Sequence, residues 1–385
     1  MPPEGTEATR ESAEAGDGPS PAPPSTPSAT APSTTSTAST APRRREYAPI
    51  LDVIRIVAIL AVVAVHVIAD HVSSDSPLAV LLLRALLAVA VPAFVMISGA
   101  LNLDPAAMRD GTGAFLGRRL RRLVPATIVW TAVYVLLSMQ IAPEPLSGED
   151  IAKGLLEAST FPHLYFLPLI IGLTVITPPL VDHLAVDPRR AWGVGAVAAV
   201  WGVAVVAVGP LTAGLMAEPV TPLQLGALTF FLPYAGYYVL GRAAWAAAPG
   251  RRGVLVALAV VGALMTAATV LVYAAPWAQQ PPGSALLPTY VAPTVLGMSL
   301  CWVILLLAVG RTWRVGERAQ RWLRELGNAT FGVFLLHFVV LLLLRGTGLP
   351  QDSAGGLLLL AVIVAVASFA LVLLGRRVPV VRELL

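Results

Sequence analysis

Ten runs of apolar residues, most near twenty long, follow one another between positions 49 and 374. They read as 49–69, 78–101, 123–141, 164–181, 192–211, 227–248, 254–275, 290–309, 328–345 and 355–374. A helix needs about 20 residues to cross the hydrocarbon core of a bilayer. Inside that core a helix satisfies its own backbone, whereas irregular chain exposed to lipid does not. The spacing therefore predicts an all-α fold, a polytopic transmembrane bundle of about ten spans. The run at 164–181 is short and holds Pro168, Pro178 and Pro179, which membrane helices tolerate when neighbours satisfy the freed carbonyls. Charge excludes a typical cytosolic enzyme. Only 12% of the 385 residues are charged, against about 25% in an ordinary soluble domain.

The loops set an orientation. With both termini cytoplasmic, the inner loops collect Arg43 to Arg45, the cluster from Arg109 to Arg122, Arg189 and Arg190, Arg251 and Arg252, the arginines from Arg311 to Arg324, and Arg376, Arg377 and Arg382. The outer loops hold Lys153 and Arg345 and otherwise carry acids such as Asp70, Asp75, Glu144 and Asp352. This is the positive-inside pattern, and it calls for an even number of spans. The high Ala, Gly, Pro and Arg content points to a GC-rich bacterial genome, and hence to a multi-pass protein of the bacterial inner (cell) membrane. No nucleic-acid partner is expected.

Residues 1–45 are built from Pro, Ser, Thr, Ala and Glu with almost no large apolar side chains. Such a segment buries too little surface to offset its ordering entropy, so it is expected to be a disordered cytoplasmic tail. It lacks the basic start and apolar core of a signal peptide. The single cysteine, Cys301, excludes a disulfide framework and a Cys-based zinc site. No metal site is expected.

Ionisable residues inside apolar runs are costly and are functional candidates by default. The first run carries Asp52, Arg55 and His66. Arg55 and His66 are separated by three helical turns plus about 20°, so they share a face about 16 Å apart along the axis. Asp52 stands three residues before Arg55, a spacing that suits an ion pair. Arg55 either snorkels to the inner interface with Asp52 or presents a binding point for an anion. His66 is either a helix-packing hydrogen bond or a general base, since its ordinary pKa lies near neutrality.

Other polar positions admit similar pairs of readings. Ser98 and Gly99 close the second run, where small residues often serve packing. Arg84, in the outer part of that run, reads as a snorkelling or structurally paired residue. His337 sits mid-run in TFGVFLLHF, as a structural hydrogen bond or a substrate contact. His163 opens the fourth run in FPHLYFLP, as an interfacial anchor or a substrate contact. Arg118, Arg119, Arg121 and Arg122 lead into the third run, as positive-inside anchors on lipid headgroups or as captors of a polyanionic cofactor. His71 and His183 read as solvated loop residues.

Four blocks in order resemble the acyltransferase 3 family of membrane acyltransferases, over nearly the whole chain from about 47 to 385. Asp52, Arg55 and His66 resemble its opening helix. VAVPAFVMISGALNL (89–103) resembles its second helix, with Pro92 and Ser98-Gly99. HLYFLPLIIGLTVITPPL (163–180) is similar to its His-Leu-Trp-Phe block, with Tyr165 in place of Trp. LGNATFGVFLLHFVVL (326–341) is similar to its late Ser-x-Gly-x-Tyr-Leu-x-His block, with Phe334 where Tyr is common and His337 at its end. Ile56 follows Arg55 where the family usually has Gly.

The resemblance implies that residues 46–385 form one transmembrane acyltransferase domain. It implies transfer of an acyl group, commonly acetyl, from acetyl-CoA or another acyl-CoA to a hydroxyl of a glycan or small molecule. His66, Arg55 and Asp52 would be the catalytic group. Arg118, Arg119, Arg121, Arg122 and Ser98 would hold the CoA, and His337, His163 and Tyr165 the substrate. The rival class is a secondary transporter or flippase, which ten helices with broken segments also fit. Such transporters usually carry acids near the midplane, and here the acid inside the runs is Asp52, near an edge.

Overall fold

The computed structural model describes residues 47–385, except 143, 144, 248, 249, 348, 350 and 352. The expected tail at 1–45 and the loop acids Glu144 and Asp352 lie outside the described residues. Among the described residues there are thirteen α-helices: α1 (Pro49–Ile68), α2 (Leu78–Leu87), α3 (Ala90–Asn102), α4 (Thr112–Ile141), α5 (Gly148–Leu156), α6 (Phe166–Val186), α7 (Arg190–Ala213), α8 (Ala235–Ala247), α9 (Arg252–Ala274), α10 (Pro293–Gly310), α11 (Glu317–Arg345), α12 (Ala354–Gly375) and α13 (Pro379–Leu384). There is no strand among the described residues.

Local chemistry explains the boundaries. Pro49 opens α1 at a position whose N–H has no helical partner in any case. The run at 78–101 does not form one straight helix. Pro92 lacks an N–H and its ring opposes the carbonyl of Ala88, so the helix breaks at Ala88–Val89 and restarts as α3. In α5, Ser147 and Asp150 form a reciprocal capping box. The arginine-rich segment before residue 123 is helical too, so α4 begins at Thr112 and runs 30 residues.

Among the described residues, nine helices are long and apolar enough to cross a membrane, counting α2 and α3 as one. The expected tenth, at 227–248, is different. Pro233 sits in a 3-10 turn at Leu232–Tyr234, and α8 after it has only 13 residues. This short helix nevertheless carries the chain between the two ends of the bundle. Tyr234 beside its start interacts with Tyr165, and Arg242 near its end pairs with Asp104 at 3.1 Å.

Large apolar side chains such as Ile128, Leu136, Val197, Val200, Leu271 and Val366 face outward. On a chain with so little charge, an outward apolar surface of this kind is what lipid contacts. Inside, α3 and α8 approach backbone to backbone. A Cβ at Gly99 would land on the Tyr238 carbonyl, and a Cβ at Gly241 on the Met96 carbonyl. Across the bundle, α1 and α11 run parallel. Arg324 stacks on Tyr47 at one end, and Arg345 pairs with Asp70 at 3.0 Å at the other.

Candidate active site

The parallel arrangement of α1 and α11 brings His66 and His337 to one level. Their ring centroids are 5.4 Å apart. His163, from the loop entering α6, completes the group, 5.1 Å from His337 and 6.1 Å from His66. Phe338 packs on all three rings and lies flat against His163 at 5.1 Å, with 9° between planes. Tyr134 of α4 meets His163 edge-on at 4.8 Å and donates its hydroxyl proton to the Leu335 carbonyl at 2.7 Å.

Hydrogen bonding fixes one tautomer. The Nδ1 atom of His337 faces the Phe334 carbonyl at 2.7 Å and the Val333 carbonyl at 3.1 Å. Carbonyls only accept, so Nδ1 carries the hydrogen and Nε2 is left as an acceptor. That Nε2, and both ring nitrogens of His163, are buried without a hydrogen-bond partner in the described structure. Buried polar atoms are usually satisfied, which makes these nitrogens candidates for contact with a substrate. His66 itself is half-buried, and Arg345 donates to its backbone carbonyl at 3.3 Å. Among the described residues, no three His, Cys, Asp or Glu side chains are placed to hold a metal ion.

The other end of α1 holds the anion-binding candidates. Arg55 and Asp52 form an ion pair at 3.2 Å. Tyr47 donates to the second Asp52 oxygen at 2.8 Å. Burial and the Asp52 carboxylate together push the Tyr47 phenol well above its usual range. A Cβ at Gly327 would stand 2.6 Å from Asp52 Oδ1, so only glycine lets the carboxylate sit against α11.

The four arginines of α4 do not act alike. Arg118 pairs with Asp110 at 2.9 Å in an exposed contact, and Arg121 reaches only the Gly117 carbonyl. Arg119 donates to Asn102 Oδ1 at 2.7 Å and Arg122 to the main-chain oxygen of Leu385 at 3.3 Å. Both lie within electrostatic range of Arg55. The structure thus gathers Arg55, Arg119 and Arg122, and leaves Arg118 and Arg121 at the periphery. Ser98 is half-buried and directly precedes Gly99, the residue pressed to α8. Tyr165 does not join the histidines. Its ring packs on Phe230 at 5.0 Å and its hydroxyl interacts with Tyr234 and Tyr290.

Sequence reasoning passed over Tyr134, Phe338, Tyr47 and Gly327. Phe338 adjoins His337 and so was within reach. Tyr134 carries no signal in an apolar run, because only the fold puts it under His163.

A polytopic helical membrane protein, with buried imidazoles at one end and clustered guanidiniums at the other, is the class that fold and site define. The acyltransferase 3 family model, described as an acyltransferase domain, matches residues 49–377, and the chain belongs to this family of membrane acyltransferases. No curated protein and no solved structure matches the chain.

Proposed function

We propose that this protein transfers an acyl group, acetyl in the first instance, from cytoplasmic acyl-CoA to a hydroxyl of a cell-envelope glycan or lipid-linked sugar. The observation that carries the reading is the junction of three imidazoles at the far end of α1 from Arg55, Arg119 and Arg122. The positive-inside pattern puts the arginine end at the cytoplasm of an inner membrane, where the phosphates of acetyl-CoA are available. The pantetheine arm then spans the roughly 16 Å to His66. Within the family, the four sequence blocks together resemble the inner-membrane O-acetyltransferase of enterobacterial common antigen, which favours an envelope glycan over a secondary metabolite as acceptor.

His66 serves as general base or as acyl carrier. As a base, it takes the acceptor's hydroxyl proton while the oxygen attacks the thioester carbonyl. The C–S bond then breaks, and the CoA sulfur leaves with a proton. As a carrier, an imidazole nitrogen attacks the thioester carbonyl, the C–S bond breaks, and CoA leaves as its thiol with the imidazole proton. The acceptor oxygen then attacks the acyl carbon, the acyl–nitrogen bond breaks, and the hydroxyl proton returns to the imidazole. His337, with Nε2 as an acceptor, orients the hydroxyl or the His66 ring. A trapped acyl-histidine identifies the carrier route, and ordered ternary kinetics the direct one. Asp52 positions Arg55.

The test follows labelled acetyl-CoA into glycans, lipids and small molecules, using membranes with equal amounts of wild type or His66→Ala. Labelling by wild type alone supports the reading, and the labelled fraction names the acceptor class. Robust labelling that is indifferent to His66 overturns the mechanism.

A further inference from the structure

A cavity of about 450 Å³ lies at the histidine end of the bundle, bordered by Arg84, Tyr165, Phe230, Tyr234, Tyr273 and Tyr290. Two of its lining residues neighbour imidazoles along the chain. Val65 precedes His66 on α1, and Tyr165 follows His163 by two residues. The volume falls within the range of small-molecule sites.

Its chemistry is unusual in one respect. The Arg84 guanidinium lies over the Tyr273 ring, 5.5 Å from the centroid, and its Nη1 is buried with no hydrogen-bond partner. Among the described residues no carboxylate pairs with it. Arg84 is thus held by Tyr273, through stacking and a side-chain hydrogen bond, with Nη1 left over. A buried guanidinium nitrogen without an acceptor is costly to keep. A carboxylate or phosphate on a ligand would supply two parallel charge-assisted hydrogen bonds. The aromatic walls and the tyrosine hydroxyls suit the faces and edges of a sugar ring.

We infer that this cavity is the acceptor site, and that it selects a sugar bearing an anionic group, bound by Arg84. The inference rests on the acyl-transfer reading above and names its substrate class. An acceptor so anchored presents its hydroxyl toward His66, past Val65 and Tyr165.

The test is saturation-transfer NMR on the purified full chain in detergent, with methyl glucuronide, glucose phosphate and methyl glucoside as probes. At least one charged probe is expected to bind about tenfold more tightly than the neutral glucoside. Whichever is preferred identifies a carboxylate or a phosphate as the anion. Arg84→Gln is expected to erase that preference while leaving the weak glucoside signal, and Arg84→Lys to keep part of it. Should Arg84→Gln fail to insert, Arg84→Lys carries the test with a narrowed preference. Equal binding of charged and neutral probes, a preference that survives in Arg84→Gln, or no binding of either charged probe overturns the inference. Acetyl-CoA titrated into the same preparation separates the two readings. Its binding without any anion preference sinks the acceptor assignment alone, whereas its failure to bind sinks the acyl-transfer reading.

Discussion

The imidazoles of His66 and His337 lie 5.4 Å apart, one on α1 and the other on the parallel α11. His337 is locked through Nδ1 to its own helix and keeps Nε2 for the space that the rings share. His66 has no such lock and is held through its backbone by Arg345. One ring is thus tied to its own helix, and among the described residues the other carries no such bond.

Removing either imidazole has a defined signature. His66→Ala is expected to lower kcat by about 100- to 10,000-fold, with KM for acyl-CoA within about threefold of wild type. His337→Phe keeps an aromatic ring in the cluster and removes Nε2. It is expected to lower kcat at least about tenfold while moving Tm by only a few degrees. Steady-state kinetics and thermal unfolding in detergent check both. An unchanged kcat in His337→Phe would reduce His337 to packing.

The arginines of α4 divide by what already occupies them. Arg119→Ala and Arg122→Ala are expected to raise KM for acyl-CoA by about tenfold, since on the proposed reading each would give up a charge-assisted contact to phosphate. Arg118→Ala and Arg121→Ala, at the periphery, are expected to change it by less than about threefold. Raising salt should shrink the gap. Equal effects at all four positions would mean a diffuse basic surface rather than a site.

Asp52 gives a further contrast. Gly327→Ala pushes a methyl against the Asp52 carboxylate without touching Arg55. Both Gly327→Ala and Asp52→Asn are expected to raise KM for acyl-CoA several-fold, with kcat falling less, because a misdirected Arg55 weakens binding before chemistry. A kcat loss as deep as that of His66→Ala, with KM unchanged, would instead place Asp52 in the chemical step.

The α3–α8 contact predicts instability rather than inactivity. Gly241→Val cannot be fitted against the Met96 backbone and is expected to cost about 1–3 kcal/mol or more. The readout is a lowered Tm, with less protein surviving detergent extraction. Gly253→Ala, where nothing lies within reach of the new methyl, is the control and should behave as wild type.

Much of the fold was legible because hydrocarbon imposes a single rule, and apolar runs report obedience to it. What was not legible came from local competition. Pro92 splits a run that hydropathy joins, and Pro233 shortens one that hydropathy fills. At the site, Arg55 and His66 were readable because one helix carries both at a fixed period. The convergence of His163 and His337 on His66 depends on which helices are neighbours, and no local pattern encodes that. The four arginines looked equivalent because their inequality lies in Asp110, Asn102 and Leu385, not in their own spacing.

The continuity of α1 has one more consequence. Between Asp52 and His66 the helix runs unbroken, so the distance and angle from anion anchor to imidazole are set by residue count alone. Side chains along this stretch are open to exchange, but its length is not. One inserted alanine between Arg55 and His66 would advance the histidine by about 1.5 Å and turn it by about 100°, out of the ring cluster. Drift at this site is thus expected as substitution and not as insertion or deletion, and on the proposed reading the helix would gauge the length of the donor.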